Sequence, residues 1–482
     1  MKIIFCLVMA AALTLNPFSA RALGPPSAQT SVGADIIVTA APAYAPLAAL
    51  TGGERFPQGA QLLLIHDGKA EPLAANFYAA ADANVSFDGK RVLFSGKQNA
   101  NDAWQIWEMT LAERSLRRVI GGQGDAIRPL YLPYGRLVYA RRVGSSFRLE
   151  AAGKDLPGTD ASRAMALIDA QAGETVQLLS FLPGDTIPDD VLLDGRILFE
   201  SEFPLGTGTT PELYTVYSDG SGVESYRCDH GRARWGGRQL ASGDVVFTHG
   251  ATLARFTSPL AHEAPVAAPR GDYAGAIAET ASGAWLLSAR STPAARYSLK
   301  LGFPASSSQA VSPTLKTVLA ASGENLVEPA IVAPRPRPKR HPSGLHDWSY
   351  ANMMALDARF SRDGDLKTAP AEVRLETLDA NGHTVALGTA PVESDGSFMV
   401  RTPADQPIRF ALLDAKGAVV RQEHGWFWIR RGEQRYCVGC HAGPERSPDN
   451  HVPAVLLRTT TPVDLTGSKA FGDAQSSASK GN

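Results

Sequence analysis

Cys437-Val438-Gly439-Cys440-His441 is the stretch of this chain whose residue types and spacing can do chemistry. Two thiols three positions apart, followed at once by an imidazole, form the attachment sequence for a c-type haem. Cys437 and Cys440 would add across the two porphyrin vinyl groups, and His441 is placed to ligate the iron. With 4 Cys and 10 His in 482 residues, the pattern arises by chance in about one chain in a thousand. Three other uses of the same residues compete: a disulfide between Cys437 and Cys440, half of a zinc site, and a thioredoxin-type redox pair. A zinc ribbon asks for a second Cys pair and a thioredoxin motif for a βαβ setting, and the sequence offers neither.

The chain must carry this motif to an oxidising compartment. Lys2, the apolar run Ile3 to Leu15 and then Ala20-Arg21-Ala22 read as a secretory signal peptide over 1–22, cleaved after Ala22. Its apolar core is too short to span a bilayer, and no later stretch reaches that length, so a periplasmic protein without a transmembrane segment is expected. Cys6 leaves with the leader, and removing Lys2 and Arg21 leaves 45 basic against 48 acidic residues. A chain so close to neutral does not ask for nucleic acid.

Between about 40 and 330 a loose repeat recurs. Turns ending in glycine, at Gly89, Gly135, Gly195, Gly243 and Gly283, each precede a short apolar strand such as Val92-Leu93-Phe94 or Ile197-Leu198-Phe199. Second strands such as Gln105-Ile106-Trp107-Glu108-Met109 lie between them. Asp-Gly favours a tight hairpin, and spacings of 40 to 60 residues carrying several strands suit the blades of a β-propeller. The second Asp-Gly turn, Ser218-Asp219-Gly220-Ser221-Gly222, resembles TolB-type propeller repeats. Counting degenerate blades near Gln61 to Ile65 and near Tyr297 to Leu319, six or seven blades are expected. The alternative is a pair of β-sandwiches or an irregular solenoid.

Ala333-Pro334-Arg335-Pro336-Arg337-Pro338-Lys339-Arg340-His341-Pro342 alternates proline with cations. This makes 331–345 an extended linker strapped along the propeller. From 346 to 430 alternating strands return, with turns at Asp379-Ala380-Asn381-Gly382 and Asp395-Gly396, so a small antiparallel sandwich or barrel is expected. Glu423 to Ile429 reads as its last strand, leading into an attachment segment at 431–465 and a disordered tail at 466–482. The expected class is thus all-β: a six- or seven-bladed propeller, then a sandwich carrying the haem-attachment segment.

The Pro-Arg-Pro linker, Ala390 to Phe398, Leu412 to Gly417 and Gly432-Glu433-Gln434-Arg435 before the motif resemble the hydrazine synthase alpha subunit middle-domain family. With the propeller in front, the resemblance covers roughly 40 to 460. It implies a haem domain packed on the propeller, with a propeller cysteine drawn through Zn2+ to the motif histidine. Cys228 in Tyr226-Arg227-Cys228-Asp229-His230 is then expected, with His230, to face His441; without the family it reads as an inert thiol beside a surface histidine. Two departures weigh against hydrazine chemistry. This sequence holds no second Cys-x-x-Cys-His, and Glu445 stands where the family places an iron-ligating tyrosine.

The functional expectation is an exported monohaem c-type protein in periplasmic redox chemistry or electron transfer, with covalent haem c and a redox partner protein. The alternative is a propeller scaffold in which the motif is structural or holds zinc. Trp426, Phe427 and Trp428 are candidates to wall the ring, and Arg430, Arg431 and Arg435 to pair with its propionates. Candidates for a sixth ligand are His424, His451, Met399, Met353 and Met354.

Overall fold

A computed structural model describes residues 32–153, 175–205, 208–227, 231–302, 314–361, 364, 366–439 and 450–467. The expected leader at 1–22, Cys228, His230, Cys440, His441 and the residues from 468 lie outside the described residues. Six antiparallel sheets run from Asp35 to Val332, followed by two four-stranded sheets. The five glycine turns all occupy one structural place, joining the first strand of a blade to its second. Gly89 lies between Ala79–Val85 and Arg91–Lys97, for example, and Gly195 between Thr186–Val191 and Ile197–Leu205. The remaining blade is closed by both ends of the propeller: Asn325–Val332 pairs with Asp35–Ala41, which continues into Gln61–His66 and Lys69–Pro72. The run near 297–319 supplies Ser298–Gly302 and Lys316–Leu319 to the sixth blade, so among the described residues the propeller has six blades.

Five inner strands break register at equivalent places, between Ala81 and Asn84, Ile127 and Leu130, Pro188 and Asp190, Trp235 and Arg238, and opposite Ile37 and Thr39. A bulge re-aims the side chains it holds. Asp82, Arg128 and Glu328 sit in these bulges at φ of 62°, 55° and 57°, and their buried charges meet at the axis. Arg55, from the segment that crosses one mouth of the propeller, pairs with Asp82 at 2.5 Å and with Glu328. Arg128 lies 3.4 Å from Asp189, 3.6 Å from Glu328 and 3.9 Å from Glu200. Leu50 and Phe56 of the crossing segment pack with Ala81, Ile127, Ile187 and Val327, so this mouth is filled by side chains.

The proline-rich segment is a strap without strand or helix, laid across the turns of three blades. The Arg335 amide donates to the Phe87 carbonyl at 3.0 Å while its guanidinium stands 4.4 Å from the Phe87 ring. The Lys339 amide donates to the Leu193 carbonyl at 2.9 Å, and His341 stacks on Tyr217 at 3.6 Å. Gly195, at φ +93°, leaves room for the strap: a Cβ there would stand 2.3 Å from the Lys339 oxygen.

The second domain is a sandwich around Val373, Leu375, Phe398, Val400, Ile408, Phe410 and Leu412. One sheet is antiparallel in the order Thr384–Pro391, Glu372–Leu378, Ile408–Leu413, Val419–Gln422. In the other, Tyr350–Ala355 and Phe398–Pro403 are antiparallel, and both edges, Gln434–Cys437 and Val463–Asp464, add in parallel. The segment after 430 therefore supplies two strands to the sandwich.

The strand expected at Glu423 to Ile429 does not form. Only Phe427 bridges to Ile408, because this segment serves as a wedge between domains. Trp428 is fully buried among Leu130, Leu149, Ile197, Phe199 and Tyr214 of two blades. A side chain committed to the propeller pulls its backbone out of the sheet ladder.

Candidate haem-attachment site

Cys437 is the last residue of an edge strand, in register with Ala355, and its carbonyl accepts the Leu356 amide at 2.9 Å. Alternation along the strand turns Cys437 toward the sandwich core and Tyr436 to the other face. Burial pushes the Cys437 thiol up, and the positive charge of Arg435 pulls it partly back. The strand reaches this place because Arg435 donates to the Trp428 carbonyl at 3.2 Å and to the Val223 carbonyl of the fourth blade. Arg430 donates to the Asp219 carbonyl at 3.1 Å and to Asp405 at 2.6 Å. Glu433 accepts the Gly222 amide at 3.2 Å, its carboxyl raised by burial. Of the wedge residues and arginines expected around a porphyrin, Trp428, Arg430 and Arg435 are thus engaged in docking and hold the motif strand against the blade turn 217–223.

Both described ends of the motif loop rest on one platform. On the near side, a Cβ on Gly439 would lie 2.4 Å from the Phe360 oxygen and 2.8 Å from the Asp357 oxygen, so the loop 357–360 lies directly against the motif backbone. Arg359 fastens that loop, bonding Asp357 at 2.9 Å and the Ser394 and Asp395 carbonyls at 2.7 Å. On the far side, His451 meets Asp395 at 3.0 Å, and Asp395 also accepts the Ala454 amide at 2.7 Å at the head of the short helix Ala454–Arg458. The hydrogen bonds from Ala454, Ser397 and His451 outweigh desolvation and hold the Asp395 carboxyl far below the usual range.

The side chains around this platform are unusually apolar for a surface. Among the described residues eleven large hydrophobic side chains are exposed, and five of them, Tyr436, Val438, Val452, Leu456 and Leu457, flank the motif loop. Apolar surface concentrated beside one loop marks a place that another apolar body covers. A porphyrin face is such a body and the exposed side chains suit it, whereas the Cys437 thiol is packed toward the sandwich core and does not face that surface in this structure.

Of the sixth-ligand candidates, Met353 is in the sandwich core, and His451 is engaged by Asp395. Met354 pairs in register with Tyr436 on one side and Met399 on the other, forming a row on the face away from the core. His424 is exposed on the turn next to Glu423, whose charge raises the Cys437 thiol further. Among the described residues no group of three His, Cys, Asp or Glu side chains is gathered to hold a metal, and no helix is long and apolar enough to cross a membrane. The platform loop 357–360 and Asp395 escaped the sequence reading, although the Asp395-Gly396 turn was visible as a turn signal.

Residues 356–442 match the hydrazine synthase alpha subunit middle domain family. A 60-residue stretch is 38% identical to hydrazine synthase subunit alpha of Kuenenia stuttgartiensis, covering 12% of this chain and 7% of that protein's length. The fold superposes on Kuenenia stuttgartiensis hydrazine synthase with a TM-score of 0.71 at 16% identity, over 88% of this chain and 71% of that one. TolB from Acinetobacter baumannii matches with a TM-score of 0.41 at 12% identity, over 62% of this chain and 66% of that one.

Proposed function

We propose, from the premise that this chain is of the hydrazine synthase alpha-like family and carries its middle domain at 356–442, that it is an exported monohaem c-type protein acting in redox chemistry or electron transfer. The observation that carries this reading is the Cys437-Val438-Gly439-Cys440-His441 spacing at the end of a buttressed edge strand, beside five exposed apolar side chains. Cys437 and Cys440 would hold the ring through thioethers, and His441 would ligate the iron. When bound, haem c supplies an iron that gains and loses an electron. The chain's own contribution is rigidity: Arg430, Arg435 and Trp428 fix the motif strand against the propeller, and the apolar flank keeps water from one side of the site. A periplasmic redox protein is the partner this requires.

Cys228, with His230, is proposed to reach the same site and share zinc or the distal pocket with His441. What motivates this is closeness in sequence: the blade turn at 217–223 is bonded directly to the motif strand and precedes Cys228 by five residues, although Glu224–Ser225 pairs back along Tyr214–Thr215, away from that turn. Hydrazine synthesis is not carried over, because Glu445 replaces the expected tyrosine and the local likeness covers 7% of the relative.

The test uses the full chain matured in a periplasm that attaches haem. Thioethers survive denaturation, so the denatured protein should keep haem-stained peroxidase activity on a gel and give a c-type pyridine haemochrome. Cys437→Ala and Cys440→Ala should each weaken both signals. Extractable haem, or none, would overturn the reading. The scaffold alternative is favoured instead if attached haem neither cycles in voltammetry nor changes its spectrum with cyanide, carbon monoxide or nitric oxide. Cys228→Ser should alter zinc content or the haem spectrum; unchanged values would remove Cys228 from the site.

A further inference from the structure

A cavity of about 140 Å³ opens between the second and third blades, beneath the strap. It shares no residue with the haem-attachment platform. Four arginines line it, Arg91, Arg117 and Arg136 from separate strands and Arg337 from the strap, against two carboxylates, Glu108 and Asp88. Both carboxylates are already committed. Glu108 lies 3.3 Å from Arg91 and 2.7 Å from Arg117 and accepts the Tyr131 hydroxyl at 2.8 Å. Asp88 accepts the Ser86 hydroxyl at 2.5 Å and the Lys90 amide at 3.1 Å.

Among the described residues Arg136 and Arg337 form no ion pair, although the charge of Asp219 acts on Arg136 from a distance. Arg136 is 5% exposed and, among the described residues, donates to the Ser218 carbonyl at 3.0 Å and keeps a buried Nε without an acceptor. Burial and the nearby charge of Arg340 outweigh the opposite charge of Asp219 and lower its pKa to about 10. An unpaired guanidinium taken out of water is costly, and a bound anion is what relieves that cost. Arg337 comes to the same cavity from the opposite element, and neither an ion pair nor a hydrogen bond holds it among the described residues.

We propose that this cavity binds a tetrahedral oxyanion, inorganic phosphate or sulfate, gripped by Arg136 from the blades and by Arg337 from the strap. The space is many times the ~10–15 Å³ that one water needs. A planar carboxylate is satisfied by one guanidinium fork lying in its plane, whereas donors arriving from opposite elements, blade and strap, suit an anion with oxygens on several sides. Bound there, the anion ties the strap to the second and third blades.

The experiment is calorimetric titration and thermal melting of the full chain at low ionic strength, with phosphate, sulfate, acetate and chloride compared at matched ionic strength. Phosphate or sulfate should bind and raise the melting temperature by several degrees, where acetate and chloride do not. Arg337→Ala, on an exposed strap position that leaves the fold intact, should weaken phosphate binding at least ten-fold, and Arg337→Lys should recover part of it. Arg136→Gln should also weaken it and, by removing the unpaired charge, raise the melting temperature of the anion-free protein. Phosphate that acts no differently from chloride, or equal phosphate affinity in Arg337→Ala and the parent, would overturn the proposal.

Discussion

The indole nitrogen of Trp428 donates to the carbonyl oxygen of Gly220 at 2.9 Å, joining sandwich to propeller across 208 residues of sequence. Phe181 and Phe199 close on the same ring at 5.9 and 6.3 Å between centroids. Trp428 is therefore the bolt through the two domains. Trp428→Ala should cost about 3–5 kcal/mol, as expected for emptying a large aromatic site. Trp428→Phe should cost less but leave the Gly220 oxygen unsatisfied, about 1–3 kcal/mol. Urea unfolding followed separately in each domain is the measurement. Loss of a single shared transition in Trp428→Ala would show the bolt at work, and coincident, unshifted transitions would refute it.

Gly439 lies where no side chain fits. Gly439→Ala must push back the Phe360 and Asp357 carbonyls, and such backbone overpacking costs about 1–3 kcal/mol. The cost falls on the motif itself, so the yield of the covalent haem proposed for it should drop several-fold while the propeller keeps its melting temperature. Haem stain per mole of protein, read beside the melting curve, checks it.

The charged axis of the propeller sets a pH dependence. Burial, then the charge of Asp189, raises Glu200 to about 8, while Asp82 is held at about 2 because Arg55 and Arg128 outweigh its burial. Folded Glu200 keeps a proton that the unfolded chain releases above its ordinary value, so its contribution to stability declines as pH rises from about 5 to 8. Asp82 acts oppositely: its contribution is full above its ordinary value and is lost as pH falls toward 2. Stability should thus decrease from pH 5 to 8, and Glu200→Gln should flatten that slope while keeping the Gly236 amide bonded. Urea midpoints at pH 5, 6.5 and 8 provide the comparison, and an unchanged slope in the variant would count against Glu200 as its source.

The strap depends on Gly195. Gly195→Ala would collide with the Lys339 carbonyl at a left-handed position, so the strap should detach locally at a cost of about 1–2 kcal/mol. Limited proteolysis should then cut between Arg335 and Arg340 faster than in the parent chain, with the blades still intact.

Local chemistry determined much of this from the sequence alone. Asp-Gly turns dictate hairpins, alternation dictates strands, and proline alternating with cations dictates an extended strap, because each depends on residues within a few positions of one another. The all-β class, the propeller and the sandwich after it were legible for that reason. Closure of the first blade by Asn325–Val332, the axis network around Arg128, the failed strand at Glu423 to Ile429 and the platform under Gly439 were decided only by the tertiary structure. Each joins residues dozens to hundreds of positions apart, and their energies come from burial and charge pairing that exist only once the blades have come together. Trp428 illustrates the division. Its alternating neighbours predict a strand, yet a fully buried indole with a partner in another domain outweighs the local preference, and the chain leaves the sheet to satisfy it.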